Sequence, residues 1–214
     1  MPQGPRFAFP LSHVWQPARN PSGWLMIVLH GRGDSSMGFL WLQAALGIDA
    51  LDMLLLDAPD PCWSGWSWYD LPPDQLPGIT RSRSLLAQVL EQTAHGGFPA
   101  ERTFLFGFSQ GCLMTLEFGA RHPQRLAGYI GVSGYAYDTA AILRDLHPEP
   151  ASGDWLVTHG TRDEVLPVER TRADVRALVE GGLRIDHREY DKGHAIDVVQ
   201  ELPELRQWVG ARCA

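Results

Sequence analysis

The sequence contains little cysteine, no excess of basic side chains and no long apolar run. The three cysteines among 214 residues are too few and too scattered for a disulfide framework or a CxxC metal knuckle, so we expect reduced thiols. A formal net charge of −7 argues against binding to nucleic-acid phosphates. The longest apolar runs, such as WLMIVL, are far too short to cross a bilayer.

Targeting and cofactor motifs are missing as well. The N-terminal segment MPQGPRFAFPLSHVW has no apolar stretch followed by a small-residue cleavage site, so we expect a cytoplasmic protein without integral membrane association. The sequence has no HExxH motif, no acidic metal cluster and no GxGxxG fingerprint after a strand. We therefore predict that the protein needs neither a metal nor an organic cofactor.

The chain does have the size and composition of an ordinary globular domain. Hydrophobic residues make up 44% of the sequence and charged residues 20%, close to the averages for soluble proteins. A chain of this length buries roughly 70% of its unfolded surface, which is enough for one sizeable core. We predict a single domain over residues 1–214, and the sequence leaves a homodimer open.

Short apolar runs alternate along the chain with segments of helical spacing. The runs that predict buried strands are residues 24–29, 53–56, 103–106, 129–132 and 155–157. The segments that predict helices are residues 39–46, 84–93, 110–121, 168–180 and 195–209. This alternation predicts an α/β fold with a mostly parallel sheet and helices on both faces.

Three further segments stand apart from this alternation. Residues 183–190 alternate apolar and polar side chains, which predicts a late strand at one edge of the sheet. The Pro-rich N-terminal segment predicts an irregular strand at the opposite edge. Residues 57–78 are dense in Pro, Gly and Trp, which predicts a functional loop.

The run TFLFGFSQGCLMTLEF contains the strongest catalytic motif in the sequence. It places Ser109 between an apolar strand and a helix, which is the context of a nucleophile elbow. Gly107 and Gly111 are small, as a tight and strained strand-to-helix turn requires. The N-terminus of the following helix would also stabilise developing negative charge. We predict that Ser109 is a nucleophile.

A serine nucleophile needs a base and an acid, which follow it along the chain in this kind of site. Asp163 lies in the loop after the run WLVTHG, where ligand chemistry gathers at the carboxyl end of a strand, and Glu164 beside it is the alternative acid. His194 lies in a Gly-containing loop before the last predicted helix. His159 is interpreted as structural, and the remaining histidines have no partner motif. The order Ser109, Asp163, His194 predicts a catalytic triad.

The run LHGRGD predicts one of the two donors that a tetrahedral oxyanion requires. Gly31 and Gly33 allow the chain to turn so that the backbone N–H of Arg32 points toward Ser109 beside the N–H of Gln110. Asp34 is expected to brace this loop by accepting backbone hydrogen bonds at the start of the next helix.

The motifs HGRGD, GFSQG, GTRDEVLP and GH together resemble the phospholipase/carboxylesterase family, which includes the acyl-protein thioesterases. The resemblance extends from about Leu25 to the final helix. It implies a compact α/β-hydrolase fold without a large cap domain, with Ser109, Asp163 and His194 as triad. It also implies that the backbone amides of Arg32 and Gln110 form the oxyanion hole, and that the segment SWYD lies beside the site.

Two departures from the family pattern bear on the substrate. Arg32 stands where many thioesterase relatives have an apolar residue, so polar or acidic acyl groups become candidates. The loop that contains Trp63, Trp66 and Trp68 differs from the acyl-tunnel segment of the thioesterases, and these tryptophans are expected to line the site rim and bind substrate. An alternative role for them is to cover the edge of the core.

The sequence therefore predicts a serine carboxylesterase that acts on small-molecule esters with short to medium acyl chains through an acyl-enzyme. Thioesters and lysophospholipids stay open as substrates. A cofactor-independent acyltransferase or perhydrolase would use the same triad, and a non-catalytic binding protein could have retained only the fold. Labelling of Ser109 by a fluorophosphonate distinguishes the last alternative, because a disarmed triad does not react.

Overall fold

A seven-stranded, mostly parallel sheet forms the centre of the computed structural model, which describes residues 7–213. Its strands are β1 (His13–Gln16), β2 (Trp24–Leu29), β3 (Leu51–Leu56), β6 (Thr103–Phe108), β7 (Gly128–Val132), β8 (Trp155–Gly160) and β9 (Ile185–Tyr190). Their order in the sheet is β1-β3-β2-β6-β7-β8-β9, and only β1 runs antiparallel to its neighbour. The predicted α/β class is confirmed.

The apolar runs of the sequence are continuous because both faces of the sheet are covered. In β2, Leu25, Ile27 and Leu29 point into one core, whereas Met26 and Val28 point into the other. Successive side chains of a strand face opposite sides, so a strand buried on both faces must be apolar at every position. This pattern places helices on both faces of the sheet.

The helices divide between the two faces. They are α1 (Leu42–Leu46), α2 (Gln75–His95), α3 (Gln110–Gly119), α4 (Thr139–Arg144), α5 (Pro148–Ala151), α6 (Val168–Glu180) and α7 (Glu201–Gly210), with 3-10 turns at Ser36–Phe39 and Ala100–Arg102. Apolar side chains of α2, α3, α4 and α6 contribute to one core, and those of α1 and α7 contribute to the other. None of the helices within residues 7–213 combines the length and the apolar character that a membrane crossing needs.

Several element boundaries differ from the predicted ones. The predicted helix 84–93 is the second half of the longer α2, and the predicted helix 39–46 is a 3-10 turn followed by the short α1. The final helix begins at Glu201 rather than at residue 195, because Asp197 Oδ1 accepts the backbone N–H groups of Val199 and Gln200 in a turn before the helix. The late strand begins at Ile185 and lies at the predicted edge.

The segment 57–78 contains more regular structure than a loop. Two short strands, β4 (Asp60–Cys62) and β5 (Gly65–Ser67), form an antiparallel hairpin outside the central sheet. The strand predicted in the N-terminal segment is β1, which pairs with β3 at the edge opposite β9. The first six residues of that predicted segment lie outside the described residues.

Parallel pairing brings four loops to the same edge of the sheet. The chain leaves β2, β6, β8 and β9 at this edge and enters the segments that contain Arg32, Ser109, Asp163 and His194 respectively. No large cap domain covers this edge within the described part of the chain, where the β4–β5 hairpin is the added structure beside it. The carboxyl edge of the sheet is therefore where the predicted functional residues meet.

Candidate active site

Ser109 lies on a tight turn between β6 and α3. Its backbone has a φ of 54°, in the left-handed region that residues with a side chain rarely adopt. A Cβ atom at Gly107 would lie 2.0 Å from the carbonyl oxygen of Gly111, and one at Gly111 would lie 2.1 Å from that of Leu29. Only glycine fits at these two positions, so the GxSxG spacing is a steric requirement of the turn.

A chain of hydrogen bonds links Ser109 to a buried carboxylate through His194. The Nε2 atom of His194 lies 3.0 Å from Ser109 Oγ, and its Nδ1 atom lies 2.7 Å from Asp163 Oδ2. A hydroxyl that faces an imidazole nitrogen, with the imidazole oriented by a third group, has the geometry of an activated nucleophile. The structure thus brings together three residues that the sequence separates by up to 85 positions.

The Asp163 carboxylate is held in its ionised form. Its side chain is 0% exposed, and this burial by itself raises the pKa of the carboxyl. Hydrogen bonds from the backbone N–H of Leu166, from His194 and from the N–H of Val165 outweigh burial, so the net effect is a lowered pKa. Glu164, the alternative acid, is exposed and makes no such contact.

His159 contacts the loop that contains Asp163. Its side chain is completely buried, with Nε2 at 2.8 Å from the Leu166 carbonyl oxygen and Nδ1 at 3.0 Å from Thr171 Oγ1. Thr171 in turn donates to the carbonyl oxygen of Gly134. These contacts tie the loop that contains Asp163 to α6, which fits the structural role expected for this histidine.

Two backbone N–H groups beside Ser109 have no partner among residues 7–213. They belong to Arg32 and Gln110, two residues that line the same cavity as Ser109 and His194. The Arg32 loop is fixed on its far side, because Gly33 N donates to the Trp66 carbonyl at 2.8 Å and Trp66 N donates to the Asp34 carbonyl at 2.8 Å. Two unpaired N–H groups, one in a fixed loop and one at the start of a helix, can donate hydrogen bonds to a negatively charged substrate oxygen.

Asp34 braces the Arg32 loop in part as expected. Its Oδ1 atom accepts the backbone N–H of Ser35 at 2.8 Å, just before the 3-10 turn Ser36–Phe39. The N–H of Ser36 is bound by another carboxylate, that of Asp57, at 2.7 Å. Two acidic residues thus share the capping role that the sequence analysis assigns to one.

The side chain of Gln110 makes contacts that sequence reasoning missed. Its Oε1 atom accepts the backbone N–H of Trp68 at 3.0 Å and the hydroxyl of Ser67 at 3.2 Å, and its Nε2 donates to the Tyr69 carbonyl at 2.8 Å. The amide therefore connects the helix start beside Ser109 to the SWYD segment. These partners lie about forty positions away in the sequence, so no local sequence pattern predicts the contacts.

The three predicted substrate-binding tryptophans occupy different environments. Trp63 is 80% exposed, lines the cavity and lies against the Arg32 guanidinium, whose Cζ is 4.6 Å from the indole centroid. Trp66 is partly buried against the core and does not line the cavity. Trp68 is 0% exposed and donates from its indole N–H to the His30 carbonyl at 2.9 Å. The expected rim position is wrong for Trp68, because apolar packing and this hydrogen bond hold it in the core.

His30 is a second residue whose role near the site no sequence motif predicts. Its Nε2 accepts the backbone N–H of Ala58 at 3.1 Å, and its Nδ1 lies 2.6 Å from the Gly31 carbonyl oxygen. Burial lowers the pKa of His30, which favours the neutral ring that this donor and acceptor pattern requires. The histidine thereby fixes the start of the Arg32 loop.

A buried ion pair anchors the loop that carries His194. Lys192 Nζ lies 2.6 Å from both carboxylate oxygens of Glu201, the first residue of α7, and both side chains are at most 4% exposed. Glu201 also accepts the backbone N–H of Asp197, and the Lys192 carbonyl accepts the N–H of Arg162. Burial lowers the pKa of Lys192 although Glu201 opposes the shift. A lysine and a glutamate nine positions apart are too common to be recognised from sequence.

The cavity over Ser109 has a volume of about 380 Å³. Apart from the residues already described, its wall is formed by apolar and aromatic side chains, namely Tyr69, Leu71, Phe108, Tyr135, Val165 and Leu166. Among the described residues there is no cluster of three or more His, Cys, Asp or Glu side chains arranged to hold a metal ion. An apolar cavity with a few convergent polar groups is typical of a small-molecule site.

Several proteins with similar sequences and folds are named as esterases or thioesterases. The sequence profile of the Phospholipase/Carboxylesterase family matches residues 12–210. Acyl-protein thioesterase 1 of Yarrowia lipolytica is 30% identical over 175 residues, which cover 73% of this chain and 77% of the thioesterase. Carboxylesterase SOBER1 of Arabidopsis thaliana is 28% identical over 203 residues, 86% of this chain and 88% of that protein. The crystal structure of esterase PE8 superimposes with a TM-score of 0.84 at 25% identity, covering 94% of this chain and 98% of PE8.

Proposed function

Because this chain belongs to the phospholipase/carboxylesterase family of α/β-hydrolases, we propose that it is a serine carboxylesterase acting on esters with short to medium acyl chains. Membership alone makes it a serine hydrolase with esterase or thioesterase activity. The observation that carries the finer proposal is the hydrogen-bonded chain from Ser109 through His194 to Asp163, beside two free backbone donors in an apolar cavity.

In the proposed reaction, Ser109 Oγ attacks the ester carbonyl while His194 Nε2 accepts its proton. Asp163 fixes the imidazole with Nδ1 protonated and stabilises the imidazolium. The N–H groups of Arg32 and Gln110 donate to the oxyanion of the tetrahedral intermediate, and the loss of one such donor typically costs about 3 kcal/mol of transition-state stabilisation. The imidazolium then protonates the leaving oxygen, and water hydrolyses the acyl-enzyme by the same route in reverse.

The proposed preference for short to medium acyl chains is supported by the size and the lining of the cavity. Its volume is about 380 Å³, and aromatic side chains of Tyr69 and Tyr135 line it. A series of p-nitrophenyl esters tests this preference. We expect the highest kcat/KM on butyrate or octanoate, and a maximum on palmitate would refute the proposed chain length.

A serine pair in the structure provides a matched test of the nucleophile. Ser109 and Ser133 each follow a strand of the sheet directly, and each has a positive φ, 54° and 51° respectively. Ser133 Oγ is buried and has no partner among the described residues, so Ser133→Ala should remove no catalytic contact. We expect Ser109→Ala to abolish both turnover and fluorophosphonate labelling, whereas Ser133→Ala keeps both.

Three outcomes of this experiment separate the proposed function from its alternatives. Turnover by a folded Ser109→Ala variant at the wild-type rate would show that another residue is the nucleophile. A wild-type protein that is folded but not labelled would be a binding protein rather than an enzyme. Labelling together with acyl products that form mainly on an added alcohol rather than on water would identify an acyltransferase.

A further inference from the structure

A second apolar cleft lies beside the cavity over Ser109. Its volume is about 420 Å³, and the residues that make it apolar are Phe39, Trp41, Phe108, Ile196 and Val198. Phe39 and Trp41 come from the segment after the Arg32 loop, whereas Ile196 and Val198 follow His194 directly. The two clefts share His194, Phe108 and Asp34, so the second cleft opens from the reaction centre.

An aromatic row connects the outer end of this cleft to the imidazole. The rings of Trp41 and Phe39 are stacked, with centroids 6.5 Å apart and an interplanar angle of 23°. Phe39 lies 6.3 Å from Phe108, and Phe108 lies 5.1 Å from the ring of His194. Trp41 is 40% exposed and Val198 is 63% exposed. Large apolar side chains at such exposure, continuous with a reaction centre, offer a surface for an apolar ligand.

The direction of proton transfer shows which part of an ester lies on this side. The leaving oxygen must come within hydrogen-bond reach of His194 Nε2 to receive its proton. The alcohol part of the substrate therefore extends toward the His194 loop, where the second cleft lies. Ser109 and Gln110 line the first cavity and not the second, which leaves the first cavity for the acyl part.

We propose that the second cleft is a subsite for the leaving group, and that it selects esters whose alcohol part is bulky and apolar. The proposal rests on the proposed function, because it takes His194 as the acid that protonates the leaving oxygen. Among the described residues no lysine or arginine lines this cleft, whereas the exposed Asp34 does. An anionic alcohol part would therefore be disfavoured.

The second cleft can affect only the acylation half of the catalytic cycle, because the alcohol leaves before deacylation. During acylation a bond forms between Ser109 Oγ and the carbonyl carbon, the bond to the alcohol oxygen breaks, and the His194 proton moves to that oxygen. The alcohol then departs, and water takes its place for hydrolysis of the acyl-enzyme. A residue that contacts only the alcohol must therefore change the rate of acylation and leave the rate of deacylation unchanged.

The test compares methyl butyrate with hexyl butyrate, which share the acyl group and differ in the alcohol. We expect the wild type to have a higher kcat/KM on hexyl butyrate. Trp41→Ala should lower the hexyl-to-methyl ratio of kcat/KM about tenfold, and the single-turnover rate of deacylation of the butyryl-enzyme should stay the same. Val198→Asp should have the same effect, because Val198 lines the same cleft from the segment after His194.

Val179 provides a matched control for the second variant. It is an exposed valine on α6 at 46% exposure, and it lines neither of the two clefts. Val179→Asp should therefore leave the hexyl-to-methyl ratio unchanged. It also controls for a general effect of an added surface carboxylate.

Two results would overturn the leaving-group subsite while the proposed function stands. In the first, Ser109 is labelled and an acyl-enzyme forms, but Trp41→Ala and Val198→Asp leave the hexyl-to-methyl ratio unchanged. In the second, the variants change the dependence on acyl length and the rate of deacylation, which would place the acyl chain in this cleft. Absence of labelling in the wild type would instead refute the serine esterase itself.

Discussion

The buried pair of Lys192 and Glu201 allows a quantitative prediction about stability. In Glu201→Gln the side-chain volume is kept, but the Lys192 ammonium, which is 4% exposed, loses its counter-charge at 2.6 Å. Removing one partner of a buried ion pair costs about 3–5 kcal/mol, because the other charge stays buried without compensation. For a chain of this size each kcal/mol shifts Tm by roughly 2–4 °C, so we expect Tm to fall by about 6–20 °C.

The pair can also be removed as a whole. Replacing both charges with apolar residues of similar volume, as in Lys192→Met with Glu201→Leu, removes the desolvation cost together with the attraction, and such replacements are often neutral or stabilising. The backbone N–H of Asp197 loses its acceptor in this double variant, which costs about 1–3 kcal/mol if it stays buried. We therefore expect the double variant to be more stable than Glu201→Gln.

The pH dependence has a definite sign. Burial lowers the pKa of Lys192 in the folded protein relative to the unfolded chain. Between the two pKa values the unfolded state binds more protons, so the free energy of unfolding rises with pH in that window. Glu201→Gln removes the main group that opposes the shift, and the variant should regain stability as the pH is raised from neutral toward about 10.

Urea unfolding of the three proteins at pH 7 and pH 9.5, followed by tryptophan fluorescence, measures these differences. The comparison of the double variant with Glu201→Gln separates the cost of an uncompensated buried charge from the loss of the pair itself. The reasoning would be refuted if Glu201→Gln were as stable as the wild type at pH 7. It would also fail if the double variant were less stable than Glu201→Gln, or if raising the pH destabilised Glu201→Gln relative to the wild type.

Two further predictions concern catalysis. Asp163→Asn should lower kcat about 10⁴-fold with the fold retained, because an amide favours the wrong imidazole tautomer. The control Glu164→Gln should keep wild-type kcat, because Glu164 is exposed. If steady-state kinetics showed equal losses of kcat in both variants, Asp163 would not be the acid of the triad. Arg32→Ala should lower kcat/KM about tenfold or more for acyl groups that carry a carboxylate, as expected for the loss of a charged hydrogen bond, and should spare neutral butyrate. An equal loss on both substrates would argue against anion recognition, and Arg19→Ala, which removes an exposed ion pair, serves as the control.

The parts of the site that could be predicted from sequence are those fixed by local pattern and parallel topology. Apolar runs locate β6 and β8, and an alternating pattern locates β9, to within a few residues; parallel pairing then brings the loops after them to one edge. Ser109, Asp163 and His194 lie near one another because their loops share this edge of the sheet. The sequence itself shows no contact among them. Their catalytic roles stay predictions that the variants above test.

The parts that could not be predicted depend on contacts between distant segments. The side chain of Gln110 finds its partners in the SWYD segment, and Lys192 finds Glu201 across the turn that delays α7. Trp68 illustrates the same limit, because nothing in a Trp-rich segment tells which indole reaches the core and which stays at the rim. Tertiary packing decides this, and it places Trp63 and Trp68 in opposite environments.

The two clefts are built from different stretches of chain, which has a consequence for altering specificity. Trp63, Tyr69 and Leu71 belong to the hairpin and the segment after it, whereas Trp41 and Val198 belong to the segments before α1 and after His194. Substitutions without shared partners usually contribute additively to free energy. Variants with altered preference for the acyl part and variants with altered preference for the alcohol part could therefore be selected in separate libraries and then combined. Phe108, His194 and Asp34, which line both clefts, would be left unchanged in both libraries.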